Sequence, residues 1–207
     1  MRIGFFGGSF DPPHLGHFGV AIAAAKALSL DRILFAPTGR QPLKTNGATA
    51  SFDDRLAMVS MLCELQPPTA VLRLEASSLD APRADGSPNY TVDTLSKLRT
   101  DCSMEDTLFV LIGADAFLDL PRWRSPESLF QLAEWIVVSR TVVSLQQLQS
   151  VELTRWQQSR VHLLEDVHEP ASATEIRELL RAGSDCSGLL PISILSYIRA
   201  HHLYGTW

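Results

Sequence analysis

The chain has 207 residues, 45% of them hydrophobic and 20% charged, enough for one α/β domain with a substantial core. A formal net charge of -5 at pH 7 argues against a nucleic-acid-binding surface spread over the molecule and leaves room for a local basic pocket that takes small anions. Cys63, Cys102 and Cys186 are too scattered for a disulfide framework or a cysteine zinc site, and no apolar run approaches the ~20 residues of a membrane span, so the expectation is a cytoplasmic chain with no membrane partner.

The first apolar run, residues 3–6, reads as a strand and leads directly into Gly7-Gly8-Ser9-Phe10-Asp11-Pro12-Pro13-His14-Leu15-Gly16-His17. Glycines after a strand let the backbone approach a phosphate, and the first turn of a following helix points its N–H groups and positive dipole end at that anion. His14 and His17 sit where the phosphate would lie. Asp11 either fixes this turn or belongs to a metal site. An alanine-rich helix, 17–28, follows, then a second strand at 33–36 and a polar loop at 38–50 that carries Lys44.

Ser51 and Asp54 form a capping-box pattern ahead of a helix through Leu62, and strands are expected at 71–74 and 108–112. Between these strands lie a substrate-facing loop at 81–89 and a helix from Thr91 to about residue 98. Gly113-Ala114-Asp115 stands where the fourth strand ends, so Asp115 could accept from ribose hydroxyls there. Ser125-Pro126-Glu127 has the order cap, first-turn proline, early acid, and predicts a short helix to about 132. Strands at 135–138 and 161–164 flank a Gln-rich stretch, 144–159, with no assigned structure. Ser172 to Glu175 repeats the capping box, Gly183 marks a helix stop, and Pro191 begins a last helix. The alternation predicts a doubly wound, Rossmann-like parallel sheet in one domain, 1–207, with a small helical part from about 171 onward, and ligands at the carboxyl ends of the strands.

Residues 8–17 resemble the GxFDPxHxGH signature of the HxGH nucleotidylyltransferases, and Ser172, Thr174 and Arg177 resemble that superfamily's SxTxxR motif. Tyr90-Thr91-Val92-Asp93-Thr94-Leu95, Gly113-Ala114-Asp115, Leu120-Pro121-Arg122-Trp123, the 136–140 segment and the tail from Leu190 to Tyr204 are similar to elements of bacterial nicotinate mononucleotide adenylyltransferases. The resemblance implies transfer of the adenylyl group of ATP to nicotinate mononucleotide, giving nicotinate adenine dinucleotide and pyrophosphate in NAD biosynthesis. It implies catalytic roles for His14, His17 and Arg177. Gly8, Ser9, Phe10, Gly113, Asp115, Ser172 and Thr174 would join them around ATP, and Lys44, Tyr90, Thr91, Trp123 and Arg140 around the acceptor. Mg²⁺ would be held mainly through ATP phosphates and waters, with few protein ligands. Thr141-Val142 departs from the Pro-Gly usual after the Arg140 position. Partners beyond ATP and the acceptor are not implied, a homo-oligomer stays open, and nicotinamide mononucleotide remains an alternative acceptor.

Overall fold

The computed structural model describes residues 1–43, 47–67, 70–139, 151–165 and 172–206. Six runs rich in branched and aromatic residues form β1 (Arg2–Gly8), β2 (Arg32–Pro37), β3 (Arg73–Ala76), β4 (Thr107–Gly113), β5 (Glu134–Val138) and β6 (Val161–Leu164). They pair in parallel in the order β3-β2-β1-β4-β5-β6, the doubly wound arrangement in which winding reverses between β1 and β4. Phe5 stands opposite both Leu34 of β2 and Val110 of β4, which puts the middle of β1 at the centre of the sheet.

Helices cover both faces: α1 (Leu15–Leu28), α2 (Phe52–Cys63), α3 (Thr91–Thr100), α4 (Ala114–Leu118), α5 (Pro126–Leu132), α6 (Arg155–Gln158), α7 (Ala173–Arg181) and α8 (Ile192–Ala200). Successive strand residues point to opposite sides, so Phe6, Phe35, Leu111 and Ile136 meet α1, α2, α7 and α8. Phe5, Leu34, Val110 and Val137 meet α3, α4 and α5. Burial on both faces is why the central strands read as continuous apolar runs rather than alternating ones.

Local chemistry sets the helix ends. Ser51 Oγ accepts from the Asp54 amide at 3.1 Å, and Ser172 Oγ from the Glu175 amide at 3.2 Å. α7 stops at Gly183, whose φ of 66° suits a residue without Cβ; its N–H reaches Leu180 C=O at 3.1 Å and the Ser184 N–H reaches Leu179 C=O at 2.9 Å, a Schellman closure.

The structure departs from the sequence reading in several places. β3 lies two residues later than 71–74, because Val71 is exposed and pairing with β2 runs from Arg73 opposite Arg32 to Ala76 opposite Phe35. Ser125 precedes α5 but adopts φ 52° and makes no side-chain cap bond, so Pro126 and Glu127 carry that start. Pro191 is the residue before α8 rather than its first. Within the Gln-rich stretch, Thr154 and Gln157 exchange bonds at 3.2 and 2.8 Å and nucleate α6. Among the described residues no helix is long and apolar enough to cross a membrane.

Candidate active site

At the carboxyl ends of β1 and β4, where the winding reverses, the chain diverges and leaves a trough with two compartments. One, of about 540 Å³, is lined by Gly7, Gly8, Gly113, Asp115, Tyr90, Thr91 and Trp123 among others. The second, of about 830 Å³, is lined by His14, Thr174 and Arg177 together with Arg40, Arg55 and Arg181. Ser9, His17, Thr38 and Gln41 border both, so the His17 ring stands at the junction.

The histidine spacing has a structural reason. His14 is the residue before α1 and His17 is the third residue in it, the position whose side chain can reach back to the capping residue's amide. The His14 N–H donates to His17 Nδ1 at 3.3 Å. A ring nitrogen that accepts does not carry the hydrogen, so the neutral His17 ring holds its proton on Nε2 and presents a donor. His14 is buried at 1% exposure and its ring lies 3.8 Å from that of His17, while Phe10 presents an edge to His17 at 4.9 Å. Phe10 itself is buried with φ 47°, so its ring belongs to the core and what it offers the trough is backbone.

Asp11 ties the phosphate side together. Its carboxyl group accepts from the Thr49 amide at 2.6 Å, the Ala50 amide at 3.0 Å and the Tyr204 hydroxyl at 2.9 Å, and its carbonyl accepts from Arg177 Nη1 at 2.6 Å. Of the two readings left open by the sequence, the structure supports the fixing of the turn. Burial, reinforced by the Asp11 charge, pushes the Tyr204 phenol far above its usual range, so it remains a donor. Arg177 Nη2 donates to Thr174 Oγ1 at 3.2 Å, which holds the guanidinium fork against the second compartment. Ser172 caps α7, is exposed, and lines neither compartment.

Arg55, 2% exposed, donates to the carbonyls of Ser9 at 2.7 Å, Thr38 at 3.0 Å and Ala50 at 3.3 Å, and so braces the glycine turn against the end of β2. Burial lowers its pKa while Asp11 opposes that shift. At the other end, Trp123 packs edge-on against the buried Trp135 with centroids 6.1 Å apart, so the ring that borders the trough is anchored in the core. Asp80 is buried beneath this compartment and takes the Thr94 hydroxyl at 2.7 Å; burial raises its carboxyl above the ordinary value.

A family model described as cytidylyltransferase-like matches residues 5–179. A protein of Chlorobaculum parvum named as a probable nicotinate-nucleotide adenylyltransferase is 37% identical over 207 residues, covering 99% of each chain. The chain belongs to the nicotinate-nucleotide adenylyltransferase family. A second member so named, from a Roseiflexus species, is 37% identical over 202 residues, with 98% of this chain and 97% of that one covered. The fold is shared with the Plasmodium falciparum nicotinic acid mononucleotide adenylyltransferase complexed with NaAD, at TM-score 0.72 and 18% identity over 98% of this chain and 97% of that one.

For a member of the nicotinate-nucleotide adenylyltransferase family, the expected residues fall into two groups. His14, His17, Ser9, Phe10, Thr174 and Arg177 gather at the second compartment, and Gly8, Gly113, Asp115, Tyr90, Thr91 and Trp123 at the first. Lys44 and Arg140 lie outside the described residues. Sequence reasoning missed Arg55, Tyr204 and Asp80. Arg55 had a signal: it falls in register with Met58, Val59 and Leu62, all at 0% exposure, so a cation stood on the apolar stripe of α2.

Proposed function

We propose that this chain transfers the adenylyl group of ATP to nicotinate mononucleotide, releasing pyrophosphate and forming nicotinate adenine dinucleotide in NAD biosynthesis. The observation that carries this reading is the position of His17 at the junction of two compartments, one basic and one walled by aromatics, in a chain of this family. An acceptor phosphate oxygen attacks the α-phosphorus, the bond from that phosphorus to the bridging β-phosphate oxygen breaks, and pyrophosphate carries off the electron pair. No covalent enzyme intermediate is required; the work is alignment and stabilisation of developing charge.

His17 Nε2–H donates to the α-phosphate as charge spreads over its oxygens, and because Nδ1 is held by the His14 amide the ring is oriented before substrate arrives. His14 and the Gly8 to Phe10 backbone position the phosphates, and Thr174 and Arg177 hold the β- and γ-phosphates, for which a guanidinium fork is well matched. Asp115 accepts from the adenosine ribose. Trp123 offers a face to the pyridine ring with Tyr90 as a second contact, amides at Thr91 and Trp123 receive its carboxylate, and Lys44 and Arg140 take the acceptor phosphate. Ser172 contributes by capping α7.

Mg²⁺ fits this donor set as an ion held by nucleotide phosphates and waters: hydroxyls of Ser9 and Thr174 face the phosphate side, and among the described residues no group of three acidic, His or Cys side chains forms a cage. When bound it neutralises phosphate charge. The test is pyrophosphate release and product formation by the purified chain with ATP and Mg²⁺, comparing nicotinate and nicotinamide mononucleotides by kcat/KM. Turnover with nicotinate mononucleotide is expected; turnover with neither refutes the reading.

A further inference from the structure

The acceptor end of the trough contains a cation that none of the motifs assigns. Arg124 follows Trp123 and lays its guanidinium over the Tyr90 ring, 4.7 Å from the centroid, with Nη1 3.8 Å from Asp93 Oδ2. Arg124, Tyr90 and Trp123 all border the 540 Å³ compartment. Arg122, which also borders it, is engaged by Asp119 at 3.1 Å. The Arg124 contact with Asp93 is longer than a hydrogen bond, so that pairing fixes the group loosely and leaves its donors available.

We propose that Arg124 is the specificity-determining residue through which this site prefers a carboxylate-bearing pyridine mononucleotide to its neutral carboxamide counterpart. The inference rests on the adenylyl-transfer reading above. Backbone amides are neutral donors and serve a carboxamide oxygen as well as a carboxylate oxygen, so amides at Thr91 and Trp123 do not by themselves select charge. Asp115 borders the same compartment and opposes an incoming anion, whereas Asp119 is paired with Arg122. A guanidinium stays charged throughout the working pH range, and the face of Tyr90 holds it where the pyridine substituent arrives. With the Arg124 side chain 57% exposed, water and salt moderate its effect, which sets the expected preference nearer tenfold than a thousandfold.

The experiment measures kcat/KM for nicotinate and nicotinamide mononucleotides with the full chain, its Arg124→Gln variant and its Arg124→Lys variant, at low and high salt. Arg124→Gln is expected to lower the nicotinate-to-nicotinamide ratio about tenfold, equivalent to ~1.4 kcal/mol. Arg124→Lys should keep most of the ratio, because charge rather than fork geometry is responsible. In the unsubstituted chain, added salt should lower the ratio, a result that needs no variant to fold. A ratio unchanged in Arg124→Gln, or insensitive to salt in the unsubstituted chain, overturns the assignment while leaving adenylyl transfer intact. Absence of turnover with either acceptor overturns the reaction itself, and the inference with it.

Discussion

Replacing Tyr204 with Phe removes one oxygen and little else. The hydroxyl lies 2.9 Å from Asp11 Oδ1, and Tyr204 and Asp11 are each 5% exposed, so water does not stand in for the lost donor. Hydrogen bonds to charged groups contribute about 1.5–3 kcal/mol. Asp11 keeps the Thr49 and Ala50 amides at 2.6 and 3.0 Å, so its carboxylate is weakened rather than stranded and the lower part of that range, ~1.5–2 kcal/mol, applies. In a chain of this size each kcal/mol moves Tm by roughly 2–4 °C, which gives a fall of ~3–8 °C. Thermal unfolding and urea titration measure it, with the midpoint shifting and the slope m preserved because the surface exposed on unfolding is the same. A Tm within ~1 °C of the unsubstituted chain would refute the assigned contribution of the Tyr204 hydroxyl to holding Asp11.

Three further outcomes follow from the same geometry. His17→Ala should cost roughly 10²–10³-fold in kcat, as removal of a preorganised oxyanion donor does, with about 1 kcal/mol lost from the first turn of α1; near-normal turnover sinks its role. Gly39→Ala places a Cβ 2.5 Å from the Pro82 nitrogen and 2.8 Å from Asn89 Oδ1, so the loops after β2 and β3 must part, at ~1–3 kcal/mol in denaturant titrations; an unchanged midpoint counts against that packing. Asp80→Asn tests a pH effect. Burial raises the Asp80 carboxyl, so folding favours its protonated form, and the stability this contributes is full at low pH and lost as pH climbs through the raised value. The variant, which retains an acceptor for Thr94, should therefore gain on the unsubstituted chain as pH rises from about 4 to 7; parallel stability curves would contradict the shift.

The sequence displayed what is local. β6 was legible to the residue, because four apolar-rich positions are bounded by polar ones, and His14 and His17 were legible because cap and third helical position are three apart. β3 was misplaced since hydrophobicity at Val71 competes with a register that only β2 imposes. α4 is five residues long, too short for a helical period to register. The bonds from Arg55 to Ser9 and from Tyr204 to Asp11 join residues 46 and 193 positions apart, and no local pattern encodes such a closure.

The bond from His14 N–H to His17 Nδ1 belongs to the first turn of a helix whose Val20, Ala21 and Ala24 are buried in the sheet's core. Docking that helix and aiming the imidazole are therefore one event. The fraction of competent enzyme is expected to track the fraction folded, with heat extinguishing catalysis on the unfolding curve rather than ahead of it.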